Sequence, residues 1–199
     1  MKKSLFRGSF HWQQKEKSMN MHSVRIQKLT LAAVCLALCM ILPFLTGQIP
    51  EIGSMLCPMH IPVLLCGFLC GPAWASVVGA VAPLLRFMIF GMPPLFPVGV
   101  AMCVELATYG AVSGLLYHAL PRKPLYVYAG LIAAMLAGRV VWGVVRLVLS
   151  GVSSTAFTWT AFITGAFTQA IPGIILHIVL IPVIVFALQK ALTWLDSAK

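Results

Sequence analysis

The sequence predicts an all-α integral membrane protein: a six-helix transmembrane bundle with a short second helix and both termini cytoplasmic. Three observations carry this expectation. The chain is 60% hydrophobic and 9% charged, with a mean hydropathy of +0.97, where a soluble domain would carry about 25% charged residues. Six apolar runs follow one another, separated by Pro, Gly and polar breaks. The basic residues collect at alternate ends of those runs. At 199 residues there is room for one compact bundle and no second domain. The expected division is a basic cytoplasmic tail over 1–28 and a single six-helix domain over 29–195.

The tail accounts for the net charge of +10. Half of the basic residues lie in it (Lys2, Lys3, Arg7, Lys15, Lys17, Arg25 and Lys28), with Glu16 as its one acid. A basic juxtamembrane tail marks the cytoplasmic side and attracts anionic lipid headgroups. The charge is therefore not a nucleic-acid footprint. Met19 and Met21 are alternative starts, which would make residues 1–18 dispensable. A cleaved signal peptide is not expected, because a long polar tail precedes the first apolar run and five more runs follow it.

Leu29–Thr46 is the first span, just long enough for a hydrocarbon core of about 30 Å. Ala33 and Ala37 stand one turn apart on one of its faces, a small-xxx-small pattern that admits a close neighbour. Gly47–His60 is a charge-poor outer loop in which Pro58 and Pro62 bracket Met59-His60. It is expected to fold down as a lid. Ile61–Gly71 is too short to span and reads as a half-length helix beneath that lid, with Gly67 and Gly71 as a packing face. Gly71-Pro72 breaks it, and Ala73–Phe90 is a full span. Gly91–Pro97 is a second uncharged loop. Val98–His118 is the fourth segment, Tyr126–Ser150 the fifth and Thr168–Leu192 the sixth. Residues 151–167 form a loop rich in Ser, Thr and aromatics.

Charge orients the bundle. With the N-terminus inside, the tail, Arg122/Lys123 and Lys190/Lys199 all fall inside, which places eleven of the fourteen basic residues. The three opposite loops carry no Lys or Arg, as the positive-inside rule requires. The other three basic residues, Arg86, Arg139 and Arg146, lie within apolar segments.

Charges inside a bilayer are costly, on the order of 2.5–3.5 kcal/mol on insertion scales, and should face the interior and find partners. Arg86, Glu105, Arg146 and Gln169 lie within about 10 Å of the outer ends of their helices at 1.5 Å per residue. Arg139 and His177 lie deeper, near the midplane, and His60 sits where loop meets helix. Arg139, Trp142 and Arg146 share a helix face, as do Glu105, Thr108 and Tyr109. A Glu105–Arg ion pair accounts for part of this set. One carboxylate does not neutralise three guanidiniums, so the surplus positive charge points to an anionic or strongly hydrogen-bonding ligand. The candidate substrate-binding residues are His60, Arg86, Glu105, Tyr109, Arg139, Trp142, Arg146, Gln169 and His177. Trp74, Trp159 and Trp194 are read as interface anchors.

Five of the six cysteines (Cys35, Cys39, Cys66, Cys70 and Cys103) sit in apolar runs as small packing residues. Cys57 lies in the lid with His60, but two ligands do not make a metal site. No metalloprotease, nucleophile-elbow or phosphate-loop motif is present, nor paired intramembrane carboxylates. An enzyme is not expected, and no cofactor is expected on this chain.

The runs PMHIPVLLCGFLCGP, APLLRFMIFGMPPLFP and VELATYG, the short second segment and the Ala33-xxx-Ala37 face together resemble the substrate-binding S component of energy-coupling factor (ECF) vitamin transporters. The resemblance covers about residues 29–192. It implies a multi-pass protein of the bacterial plasma membrane that binds a vitamin near the outer face, under the loop between helices one and two. It also implies that the Ala33/Ala37 face docks on a transmembrane coupling subunit, with two ATP-binding subunits hydrolysing ATP. The arginine surplus favours a carboxylate vitamin such as pantothenate; pyridoxine-like, cobalamin-like and queuosine-precursor ligands stay open. A self-sufficient small secondary transporter or channel is the alternative, and a structural or assembly protein is a third reading.

Overall fold

The computed structural model describes residues 24–46, 49, 53, 55–121, 124–151, 158–165 and 170–197. All regular structure among them is helical. Five helices are long and apolar enough to cross a membrane, and one shorter apolar helix joins them. The expected tail residues 1–23, together with Arg122, Lys123, Gln169 and Lys199, lie outside the described residues.

Helix α1 is the span Val24–Leu45, and it ends in a tightened 3-10 turn, Leu42–Thr46. It begins inside the expected tail, so Arg25 and Lys28 are helical. Its exposed face carries Val24, Ile26, Leu29, Leu31, Val34, Leu38 and Ile41. That is the surface a lipid-facing helix should present, since lipid chains are as apolar as leucine. Ala33 and Ala37 lie on the exposed side, while Ala32, Cys35 and Cys39 are buried against the bundle.

Helix α2, His60–Cys70, has 11 residues, about 16 Å at 1.5 Å per residue. It is buried nearly throughout. A half-length helix enclosed by others cannot touch lipid along its length, which explains why it is apolar all round. Gly71 adopts φ 95°, a conformation that disfavours a Cβ, and Pro72 then opens helix α3, Pro72–Phe90. Proline is tolerated there because the first N–H groups of a helix have no internal partner. Helix α3 ends at Gly91, whose left-handed backbone donates its N–H to the Phe87 carbonyl at 2.8 Å. Proline-rich residues 92–94 lead into a π-type turn, Leu95–Gly99, and then helix α4, Val100–Ala119. Helix α5 is Pro124–Ser150 and helix α6 is Ile171–Ser197, with a short helical turn, Trp159–Ile163, between them.

Helix α4 is the axis of the bundle, packed against α2, α3 and α5. Small residues make this possible. A Cβ on Gly110 would stand 2.5 Å from the Ala75 backbone of α3, and one on Gly114 would stand 2.5 Å from Pro72. Gly67 of α2 lies against Ser113, Gly110 and Gly114 in turn. The expected packing faces on α2 are thus filled by α4. Close backbone approach of this kind drives helix association where no hydrophobic effect separates helix from solvent.

Candidate functional site

The lid enters the bundle rather than lying over it. Its backbone is pinned by three hydrogen bonds: Gly53 N–H to Ile49 O at 2.8 Å, Cys57 N–H to Gly53 O at 3.0 Å, and His60 N–H to Cys57 O at 3.0 Å. Gly173 of α6 has no Cβ and lets the carbonyls of Met55 and Leu56 come close. From α1, the Cys39 thiol donates to the Met59 carbonyl at 3.6 Å. Cys57 has φ 47°, which costs a non-glycine residue free energy and is found where surroundings over-determine the backbone. Those hydrogen bonds and Arg139 supply that constraint.

A cavity of about 370 Å³ opens beneath this segment. Its walls come from the end of α1 (Pro43), the lid (Ile49, Gly53, Cys57, Pro58, Met59), α2 (His60), α3 (Arg86), the 92–94 loop, α4 (Val98 before it, then Met102 and Glu105), α5 (Arg139, Trp142) and Gly165. Cavities of this size suit small-molecule ligands, with apolar walls for affinity and a few polar groups for orientation.

One end of the cavity is a polar cluster around Glu105, which is 1% exposed. Arg139 Nη1 stands 3.1 Å from Glu105 Oε1, and Arg139 Nη2 donates to Cys57 Sγ at 3.4 Å. His60 Nε2 is 3.5 Å from the same Glu105 oxygen. The His60 ring meets Tyr109 edge-on at 5.0 Å and stacks with His177 at 6.0 Å. Tyr109 stands beside Glu105, and His177 beside the Cys57 backbone. Gly138 of α5 makes room for the Tyr109 ring. Burial pushes the Cys57 thiol above its ordinary range, with Arg139 opposing, so it meets the guanidinium as a neutral thiol.

The cluster is incompletely satisfied. Neither ring nitrogen of His60 makes a hydrogen bond among the described residues, and neither does Glu105 Oε1, although Arg139 neutralises its charge. His177 Nε2 is in the same condition. Buried polar atoms are nearly always bonded, so such a concentration is informative.

The other end is Arg86, 6% exposed. Its Nη1 donates to the Met40 carbonyl at 3.4 Å. Its guanidinium lies 5.9 Å from the Phe44 ring and 5.4 Å from the Phe90 ring. Those two rings contact each other edge to face at 5.0 Å. Among the described residues no carboxylate lies within ion-pair distance of Arg86.

Of the sequence-derived candidates, His60, Arg86, Glu105, Arg139 and Trp142 line the cavity, and Tyr109 and His177 buttress His60 behind it. The guanidinium of Arg139 reaches Glu105 although its helix position is deeper than that of Arg86. Arg146 is half-buried and does not line the cavity. Gln169 lies outside the described residues. Thr108 turns away from the cluster, its hydroxyl donating to Val104 O of its own helix at 2.8 Å. Trp142 stacks on Phe162 with centroids 6.4 Å apart. The sequence reading missed the apolar walls, Pro43, Met92, Met102 and Gly165, since nothing in an apolar run marks one methionine as lining a cavity. Among the described residues no group of three potential metal ligands converges.

No curated protein and no solved structure matches the chain. A family model described as the substrate-specific component of ECF transporters matches residues 27–185. That span covers α1 but for its first three residues, all of α2 to α5, more than half of α6, and every residue of the cavity. With five long apolar helices beside that match, the chain is a multi-pass protein of the cell membrane, and it belongs to the substrate-specific component family of ECF transporters.

Proposed function

We propose that this protein captures a small anionic vitamin, of which pantothenate is the leading example, in the cavity beneath the lid. It then delivers the vitamin inward with a transmembrane coupling subunit and two ATP-binding subunits. The observation that carries the reading is Arg86: a buried cation on the cavity wall with a carbonyl and two aromatic rings about it, and no carboxylate in reach among the described residues. Arg139 is already neutralised by Glu105, so among the described residues the lining keeps one positive charge with no carboxylate beside it. An anion there would form charge-assisted hydrogen bonds in a site of low dielectric. The cavity volume of about 370 Å³ also favours a small vitamin over a corrinoid, which is several times larger.

The partner subunits follow from the family, and the exposed Ala33/Ala37 side of α1 is the surface offered for docking. No ATP-binding motif is present in the sequence, so ATP is hydrolysed by the partners. Mass spectrometry of compounds that copurify with the protein tests the reading directly, with a carboxylate-bearing micronutrient expected. Arg86→Gln is expected to weaken its binding about 10- to 100-fold, the range of a hydrogen bond to a charged group. Uptake into liposomes containing this chain alone, without ATP, would instead identify a self-sufficient transporter.

A further inference from the structure

The two ends of the cavity ask for different chemistry, and this restricts the ligand further than its charge does. Resting on the reading of an anion at Arg86, we propose that the ligand is bipolar. Its carboxylate meets Arg86, its middle lies along an apolar wall, and its far end carries a hydroxyl or N–H group that reaches Glu105 and His60 from the cavity side.

Glu105 Oε1 is a buried carboxylate acceptor that lies 3.1 Å from Arg139 Nη1 but accepts no hydrogen bond of good geometry among the described residues, so acceptor capacity remains. His60 is 3% exposed, and among the described residues both of its ring nitrogens lack a hydrogen bond. The two groups face each other at 3.5 Å and both line the cavity. A carboxylate only accepts, whereas a neutral imidazole has one donor and one acceptor nitrogen. A ligand hydroxyl satisfies both at once, donating to Glu105 Oε1 and accepting from His60. A ligand N–H satisfies Glu105 alone. A second anionic group there would meet the carboxylate head-on, and an apolar group would leave His60 without a partner and Glu105 with Arg139 alone, at a cost in desolvation. The site is therefore built to reject dicarboxylates and plain fatty or aromatic acids. Between the ends, Val98, Met102 and Trp142 form an apolar wall, and methionine adapts to the shape of what it contacts.

The test measures binding to the purified full-length protein by isothermal titration. The probes are pantothenate, panthenol (its alcohol analogue without the carboxylate), N-pivaloyl-β-alanine (which keeps the carboxylate and lacks both hydroxyls), biotin and nicotinate. The expected result is that an acid with a distal hydroxyl or N–H binds, that N-pivaloyl-β-alanine and nicotinate bind at least about 10-fold more weakly, and that Glu105→Gln costs the winning probe about 10- to 100-fold. His60→Gln, which removes no side-chain hydrogen bond among the described residues, is a second variant in case Glu105→Gln does not fold; it should reduce affinity in the same direction. If N-pivaloyl-β-alanine binds as tightly as pantothenate, or both variants leave affinity unchanged, the bipolar ligand is overturned while the anion reading stands. If panthenol binds as tightly as pantothenate and Arg86→Gln has no effect, the anion reading fails instead, and the loss on Glu105→Gln shows whether the donor end survives it. Absence of binding by every probe overturns the inference as well.

Discussion

Helices α1 and α4 carry the same sequence signal and put it to opposite uses. Each has small residues four apart: Ala33 and Ala37 on α1, Gly110 and Gly114 on α4. On α4 the pair is consumed inside the bundle, with α3 and the α2–α3 junction pressed against it. On α1 the pair is left on the outside, among exposed Val34, Leu38 and Ile41. The difference teaches that a small-residue face marks where another helix can come close, not which helix does. The same helix α4 that seats its neighbours through Gly110 and Gly114 also holds Tyr109, next to Gly110, and Glu105, a little over a turn before it, so its packing sets the position of the site.

Four experiments probe the packing of α1 and α4 and the site they hold, in order of decreasing cost. Gly110→Leu puts a branched side chain where even a Cβ meets the Ala75 backbone at 2.5 Å. A loss on the order of 5 kcal/mol, or no folded protein, is expected, read as a lowered melting temperature or aggregation on size exclusion. A normal melt would mean that α3 and α4 can separate without harm.

Arg139→Met removes the partner of the buried Glu105 carboxylate. Breaking a buried pair from one side costs about 3–5 kcal/mol because a charge is left uncompensated. Combining it with Glu105→Met should recover much of that loss in a melting experiment, since replacing both partners removes the stranded charge. Equal melts for the single and double variants would contradict the ion-pair assignment.

Cys39→Ala deletes the thiol bond from α1 to the Met59 carbonyl. The expected cost is about 1 kcal/mol, with faster hydrogen exchange confined to the lid amides around residues 55–60. Uniformly unchanged exchange would show that this bond does not hold the lid.

The pair Ala33→Leu with Ala37→Leu should change stability by no more than about 0.5 kcal/mol, because leucine facing lipid gains and loses little. The same variant should fail to coprecipitate with the coupling subunit while still binding ligand. Retained coprecipitation would move the docking surface elsewhere on the bundle.

Much of the fold was legible before any coordinates. Half-length α2, the Gly71-Pro72 break and the proline-rich residues 91–97 follow from local physics: a run of eleven apolar residues cannot span, and glycine and proline punctuate helices wherever they fall. The site was legible in part. Intramembrane charge marks Arg86, Glu105 and Arg139 because burial without a reason is too costly. Which arginine pairs with Glu105 was not legible, since depth along a helix ranks Arg86 and Arg146 nearer to Glu105 than Arg139. A guanidinium on a long side chain reaches across such differences, and the pairing depends on how α4 and α5 are rotated about their axes. The apolar cavity walls were not legible either, because each methionine or proline in them is indistinguishable from its neighbours in sequence.

Sequence alone was enough to place the chain in a membrane, to delimit its apolar helices, and to mark His60, Arg86, Glu105, Arg139 and His177 as polar groups that end up buried. Hydropathy and the cost of buried charge are properties of single residues and short runs, and they act whatever the partners are. Tertiary packing set the rest: that Glu105 pairs with Arg139, that Arg86 lies against Phe44 and Phe90 with no carboxylate in reach among the described residues, and that one small-residue face is spent on packing while the other is left open. Those are relations between residues far apart in the chain, set by helix rotation and close approach, and no local pattern encodes them.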